Sequence, residues 1–229
     1  MSLREWLIKA GVILTAVVVL VAPVLDRVVF PEPDPPPSAY PTVGQVFHSE
    51  AEGFTQRVVQ IDDEYIWSEL TLHPHAPGPP AHVHTTFAER FIVAEGEVSV
   101  MVNGDTKVLR AGEEFLVEPG VTHRPFNASG MAAIVRGPET PDYALPRDFG
   151  VFLTQAYGFF DESPANARPP RALLQMSRFA PRYDSWLGGP PVLLQRGLFW
   201  IVGPIARVLG YRSYYERFAP QPQSVQRNS

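Results

Sequence analysis

The 229-residue chain contains no cysteine. That absence excludes a disulfide scaffold, thiolate catalysis and any zinc or iron-sulfur centre held by thiolates. A metal, if bound, must be held by His and carboxylate side chains. Charge is sparse too: 19% of residues are charged and 45% hydrophobic, a balance that buries a core and excludes disorder as the dominant state. What is plentiful is proline, 25 residues, with 17 glycines beside it. An all-helical bundle cannot absorb so many breakers, whereas a turn-rich β fold with proline-rich connections can.

The net charge of −5 hides a division. Residues 1–140 hold 9 Lys+Arg against 18 Asp+Glu, while residues 141–229 hold 10 against 6, every one of those cations an arginine. The acidic part offers no cationic face for phosphates, so no nucleic-acid partner is expected. The arginine-rich part predicts a partner of its own.

From Trp6 to Leu25 the only charge is Lys9, and twenty helical residues match the roughly 30 Å of a bilayer's hydrocarbon core. The pattern predicts a single-pass anchor over residues 1–28. A cleaved secretory signal and a buried core helix stay open, although no Ala-x-Ala cleavage pattern occurs in the run. Arg4 and Lys9 precede the run and Arg27 follows it, so the charge margin places the body weakly on the extracytoplasmic side. Residues 29–43 carry six prolines between Pro31 and Pro41. They predict a stiff polyproline II spacer holding the next domain roughly 30 Å off the membrane.

Over residues 44–140 short alternating runs are divided by turn signals. EYIWSELTLHP, ERFIVAEG, EVSVMVNG, TKVLRAG and EEFLVEPG each read as a strand with its turn, and Asn103-Gly104 as the tight turn of a hairpin. Many short strands at this spacing predict a sandwich or barrel. His82 and His84 lie two apart, so on a strand both side chains leave one face. Glu89 opens the next strand, with Phe91 and Val93 on its own face, and His123 follows the Pro119-Gly120 turn. Three imidazoles and a carboxylate suit one divalent ion of Mn, Fe, Ni, Cu or Zn.

These residues resemble a family. GPPAHVHTTFAERFIVAEG (78–96) is similar to the first motif of the cupin superfamily, and GEEFLVEPGVTHRPFN (112–127) to the second, with 15 residues between them. The resemblance covers roughly 90 to 100 residues. Gly78 stands nearer His82 than is usual in the family, and Pro119 directly precedes Gly120 where many members place proline one residue earlier. The resemblance implies a mainly β cupin jelly-roll barrel whose four metal ligands correspond to His82, His84, Glu89 and His123. It names no catalytic residue, and makes a homodimer the default.

Other residues are weaker candidates. His73 and His75 flank Pro74 in a loop and are expected as solvent-exposed polar groups, with an auxiliary metal or substrate contact as the alternative. Asn127 is expected to fix a turn. Phe87, Phe91, Phe115 and Phe126 are candidates to face inward and shape a pocket for a small, partly apolar ligand.

Residues 141–219 read as a helical extension, clearest at 171–179 and 192–211, and 220–229 as a disordered tail. Gly203-Pro204 predicts a kink. Apolar Leu198, Phe199, Ile201, Val202 and Ile205, with arginines near the ends, predict either an amphipathic helix at a membrane surface or one packed on the barrel. Two functions follow as expectations: a metal-dependent, dioxygenase-like enzyme acting on a small molecule, or a non-catalytic cupin module that binds or senses a small molecule or metal.

Overall fold

A computed structural model describes residues 2–137, 139 and 141–220; past Pro220, the expectation for 220–229 lies outside the described residues. The first element, α1, is a continuous helical run, Leu3–Val29. A capping box starts it: Ser2 Oγ accepts from the Glu5 amide while the Glu5 carboxylate accepts from the Ser2 amide, satisfying two amides that a helix start otherwise leaves free. Its 27 residues extend about 40 Å. Leu7, Val12, Ile13, Leu14 and Leu20 are exposed along it. It is long and apolar enough to cross a membrane.

Eleven strands follow: β1 (Val46–Ser49), β2 (Phe54–Ile61), β3 (Tyr65–Leu72), β4 (His82–Val83), β5 (Glu89–Glu95), β6 (Glu97–Val102), β7 (Asp105–Arg110), β8 (Glu114–Val117), β9 (His123–Phe126), β10 (Ala133–Arg136) and β11 (Leu145–Pro146). Then come helices α2 (Arg147–Glu162) and α3 (Arg171–Tyr183), strand β12 (Trp186–Leu187) and helix α4 (Val192–Val208). One sheet runs β1-β2-β3-β10-β5-β8, with β11 also on β3; the other runs β12-β4-β9-β6-β7. Every pairing is antiparallel. The two sheets enclose Phe54, Leu72, Phe91, Val93, Val98, Val100 and Leu109, which is a jelly-roll barrel.

The turn chemistry agrees with the sequence. Asn103 and Gly104 both have positive φ, +50° and +98°, where they join β6 to β7 through the Val102↔Asp105 pair. Gly78 has φ +70°, and a Cβ there would overlap the Pro125 carbonyl oxygen. Gly78→Ala is therefore expected to destabilise by about 2–4 kcal/mol, combining left-handed strain with overpacking. Gly112→Ala, with φ +87° but open space around it, should lose only the strain part, about 1–2 kcal/mol. Thermal unfolding of the two variants side by side checks the difference.

Two expectations are corrected. The proline-rich stretch is not a free spacer, because Ala39 is fully buried in a core with Val151, Phe179 and Phe199. Glu32 pairs with Arg178 at 2.5 Å, Asp34 with Arg182 at 2.7 Å, and Tyr40 donates to Asp148 at 2.8 Å. Several arginines of the extension thus find their acids within the same chain, and their abundance calls for no separate partner. Besides the two stretches that read most clearly as helix, the extension contains a further helix, α2. Its Phe149, Leu153 and Tyr157 pack with Phe47, Phe87 and Leu145 of the barrel. Its Val151, Ala156 and Phe159 pack with α3 and α4.

The helix α4 runs unbroken through Pro204. Phe199, Gly203, Pro204 and Ala206 are buried, whereas Leu193, Leu194, Leu198, Trp200, Ile205 and Val208 are exposed. It therefore has both a packed face and a bare apolar one.

Candidate metal centre

The barrel brings His82, His84, Glu89 and His123 together, with one ligand atom from each lying within 4.8 Å of all the others. Alternation explains how. Glu89 leaves the same face of β5 as Phe91 and Val93, both buried in the barrel core. His82 is the direct cross-strand partner of His123, and their rings lie 4.3 Å apart. His84 follows two residues later, its ring 4.9 Å from that of His82. The turn before His123 is tied to the same strand, since the Gly120 amide donates to the His84 carbonyl at 2.7 Å.

Hydrogen bonds fix the imidazole tautomers. Nδ1 of His82 lies 3.0 Å from the Pro80 carbonyl, Nδ1 of His84 2.8 Å from that of Asp184, and Nδ1 of His123 3.0 Å from that of Val121. A carbonyl can only accept, so each Nδ1 carries the proton and each Nε2 is left to face inward. His123 Nε2 meets Glu89 Oε2 at 2.8 Å, while the Nε2 atoms of His84 and His82 stand 3.7 and 4.0 Å from the same oxygen. His84 Nε2 is buried without a hydrogen-bond partner.

Burial and mutual repulsion among the imidazoles push His82 down to about 3, and burial lowers His84 as well. For His123 the hydrogen bond and charge of Glu89 outweigh burial and raise it. Burial would raise Glu89, but the hydrogen bond and charge of His123 prevail, with the other imidazoles adding to them, and hold it at about 2. The pocket is one carboxylate facing two neutral imidazoles and a third that shares a proton with it. Neutral imidazole nitrogen and ionised carboxylate are the forms that ligate a first-row divalent ion. The orphaned Nε2 of His84, only 2% exposed as a residue, is the kind of atom such an ion would satisfy.

Around the cluster, Phe87 stacks on His84 at 4.3 Å and Phe149 of α2 meets its edge at 5.1 Å. A cavity of about 50 Å³ adjoins Glu89, lined also by Gln56, Ser68, Leu70, Phe91 and Val135. It has room for about four waters. Gln56 Nε2 donates to Ser68 Oγ at 2.6 Å and Gln56 Oε1 accepts from the Tyr157 hydroxyl at 3.2 Å, so the polar edge of the cavity is held from α2. A larger hollow of about 430 Å³ lies between β1 and α2 and includes none of the four clustered residues.

The weaker candidates divide. Phe91 is inside the barrel, Phe87 lies against the cluster, and Phe115 packs on the barrel core. Phe126 does not face inward: it alternates to the opposite face of β9 from His123, with the Arg124 guanidinium 4.9 Å above its ring. Asn127 fixes a loop as expected, its amide donating to the Leu72, His73 and Met131 carbonyls and its oxygen accepting from Ser129. His73 and His75 are exposed and outside the cluster. Asp184 and Phe149 had no sequence signal linking them to the site, being 100 and 65 residues beyond His84 in the chain.

Residues 68–135 match the family model of the cupin domain. The chain carries a cupin domain. That match starts inside β3 and ends inside β10, so it spans His82, His84, Glu89 and His123. Solved structures with similar folds include an oxalate oxidase, 22% identical over 37% of this chain and 49% of that one, TM-score 0.31. KdgF from Halomonas sp. is 17% identical over 42% and 88%, TM-score 0.34. The polyketide cyclase RemF from Streptomyces resistomycificus is 19% identical over 44% and 78%, TM-score 0.33. This chain spans about half the length of the oxalate oxidase. No curated protein matches it.

Proposed function

We propose that this cupin is a membrane-anchored, mononuclear metal protein in which His82, His84, Glu89 and His123 hold one divalent transition ion and a small molecule is transformed beside it. The carrying observation is the convergence of three Nε2 atoms, each ring oriented by an Nδ1–H bond to a carbonyl, on one carboxylate in a buried pocket. When bound, the ion would supply Lewis-acid or redox chemistry of the dioxygenase kind. The protein's own part is positioning and exclusion of water. Phe87 and Phe149 wall the site on the His84 side, and Gln56 and Ser68 offer polar atoms at the cavity beside Glu89. A cavity of that size and lining suits a ligand of few heavy atoms with one hydrogen-bonding oxygen.

The anchor is α1, with the cupin domain on the extracytoplasmic side. Arg27 adds little to the charge count after the uncharged run, since it lies beside Asp26 at 4.0 Å and its guanidinium sits 4.3 Å over the Trp200 ring. The bare apolar row of α4 lies beside the end of α1 and supports contact of both with one membrane.

Metal content of the full chain, purified in detergent without chelator and read by plasma mass spectrometry, tests the reading. About one Fe, Mn, Ni, Cu or Zn per chain is expected, falling to background in His82→Ala/His84→Ala with the barrel still folded. A folded wild type without metal would overturn it. A second reading is a cupin module that binds a small molecule or metal without turnover. Oxygen uptake or product formation with small oxygen-bearing substrates favours the enzyme; saturable binding without product favours the module.

A further inference from the structure

We propose that the helical extension completes the metal centre, with Asp184 as the residue that positions His84; this rests on the metal reading above. The three histidines differ in what holds them. His82 and His123 are anchored by carbonyls two residues upstream, just before their own strands, Pro80 and Val121. The Nδ1 of His84 donates to a carbonyl 100 residues away, that of Asp184, at 2.8 Å.

Asp184 is built to present that carbonyl. It ends α3 in the left-handed conformation, φ +51° and ψ +43°, which Asp tolerates better than most side chains. Its carboxylate then accepts five hydrogen bonds. Four come from the two residues after His84: the amides of Thr85 and Thr86 at 2.6 and 2.7 Å and their hydroxyls at 2.6 and 2.8 Å. The fifth comes from Trp186 Nε1 at 2.7 Å. Charge-assisted bonds of this length are about twice as strong as neutral ones.

The next residues lie along the ligand strand. Trp186 pairs with Val83 and Leu187 with His82, and the Gly188 amide donates to the Ala81 carbonyl at 2.6 Å. A Cβ at Gly188 would come within 2.8 Å of that carbonyl, so the approach requires glycine. The extension is an added edge strand on the sheet that carries two ligands, and its carboxylate clamps the turn that aims the third.

Partners that orient a ligating imidazole typically affect metal affinity 10- to 100-fold. Asp184→Ala in the full chain should therefore raise the dissociation constant for Zn²⁺, measured by chelator competition, by about 10-fold or more. The visible absorption of the Co²⁺-loaded protein should change with it. Asp184→Asn keeps a left-handed-tolerant residue and one accepting oxygen, and should recover most of the affinity. Thr85→Val/Thr86→Val leaves Asp184 in place, removes its two hydroxyl donors, and should fall between; it serves should Asp184→Ala not fold. A purely structural clamp would lower the melting temperature of the metal-free protein while leaving the Zn²⁺ affinity and Co²⁺ spectrum as in the wild type, and that result overturns the positioning role alone. A wild type that takes up neither ion overturns the metal reading and this one with it.

Discussion

Arg178→Ala is expected to destabilise the protein by about 3–5 kcal/mol, because it strips the shared cation from two carboxylates held away from water. Arg178 Nη1 lies 2.9 Å from Asp26 and Nη2 2.5 Å from Glu32, and its side chain is only 8% exposed. Arg207 supplies a second cation to Asp26 at 3.1 Å. A lysine cannot span both acids as the guanidinium fork does, so Arg178→Lys should recover only part of the loss. The neighbouring pair is the control. Arg182 meets Asp34 at 2.7 Å, yet the Asp34 side chain is 84% exposed, and an exposed pair contributes about 0–1 kcal/mol. Chemical unfolding in detergent should separate the two variants clearly, and protease cleavage within 30–43 should accelerate only in Arg178→Ala. Equal losses in both would show that burial does not decide the strength of this network.

That network shows which part of the molecule the sequence carried and which it did not. Five strands of the barrel, β3 and β5 to β8, were legible because alternation and turn residues are local: Phe91 and Val93 announce the inner face of β5, and Asn103-Gly104 the β6–β7 hairpin. The grouping of His82, His84, Glu89 and His123 was legible for the same reason, period two setting His82 with His84 and a turn delivering His123. Helix α2 was not, because it is covered on two sides. Phe149, Val151, Leu153, Ala156, Tyr157 and Phe159 are all buried, and a helix buried nearly all round has no polar stripe to mark its period. The proline-rich stretch misled by composition. Six prolines do favour polyproline II locally, but Glu32 and Asp34 find their arginines about 150 residues later, a pairing with no local trace. Asp184 was hidden likewise: a left-handed residue after a helix reads as a cap, and nothing nearby indicates whose amides it will accept.

These long-range contacts join the parts of the chain mechanically. The segment leaving α1 is held by Arg178 and Arg182 of α3, and α3 ends at the residue whose carbonyl holds His84. The proline-rich segment and the candidate ligand are thus both attached to the C-terminal half of one 13-residue helix. Loss of the Arg178 network should first loosen the proline-rich stretch, while loss of Asp184 should first loosen the ligand.

Metal removal should produce the other large effect. Without an ion, Glu89 can satisfy His123 at 2.8 Å, but His84 Nε2 keeps no partner and His82, held at about 3, stays uncharged near neutral pH. The metal-free pocket is therefore left under-paired in a site that burial makes unforgiving. An ion that binds only the folded chain adds about 4 kcal/mol when its free concentration is about 1,000 times Kd. For a chain of this size that corresponds to roughly 8–16 °C in Tm. Chelation of the wild type should lower Tm by an amount in that range, and readdition of the native ion should restore it. His82→Ala/His84→Ala should start near the chelated value and ignore the chelator. A wild type whose Tm is indifferent to chelator, despite bound metal by mass spectrometry, would place that metal outside this pocket, because an ion held by four ligands of the barrel cannot leave without the fold registering its loss.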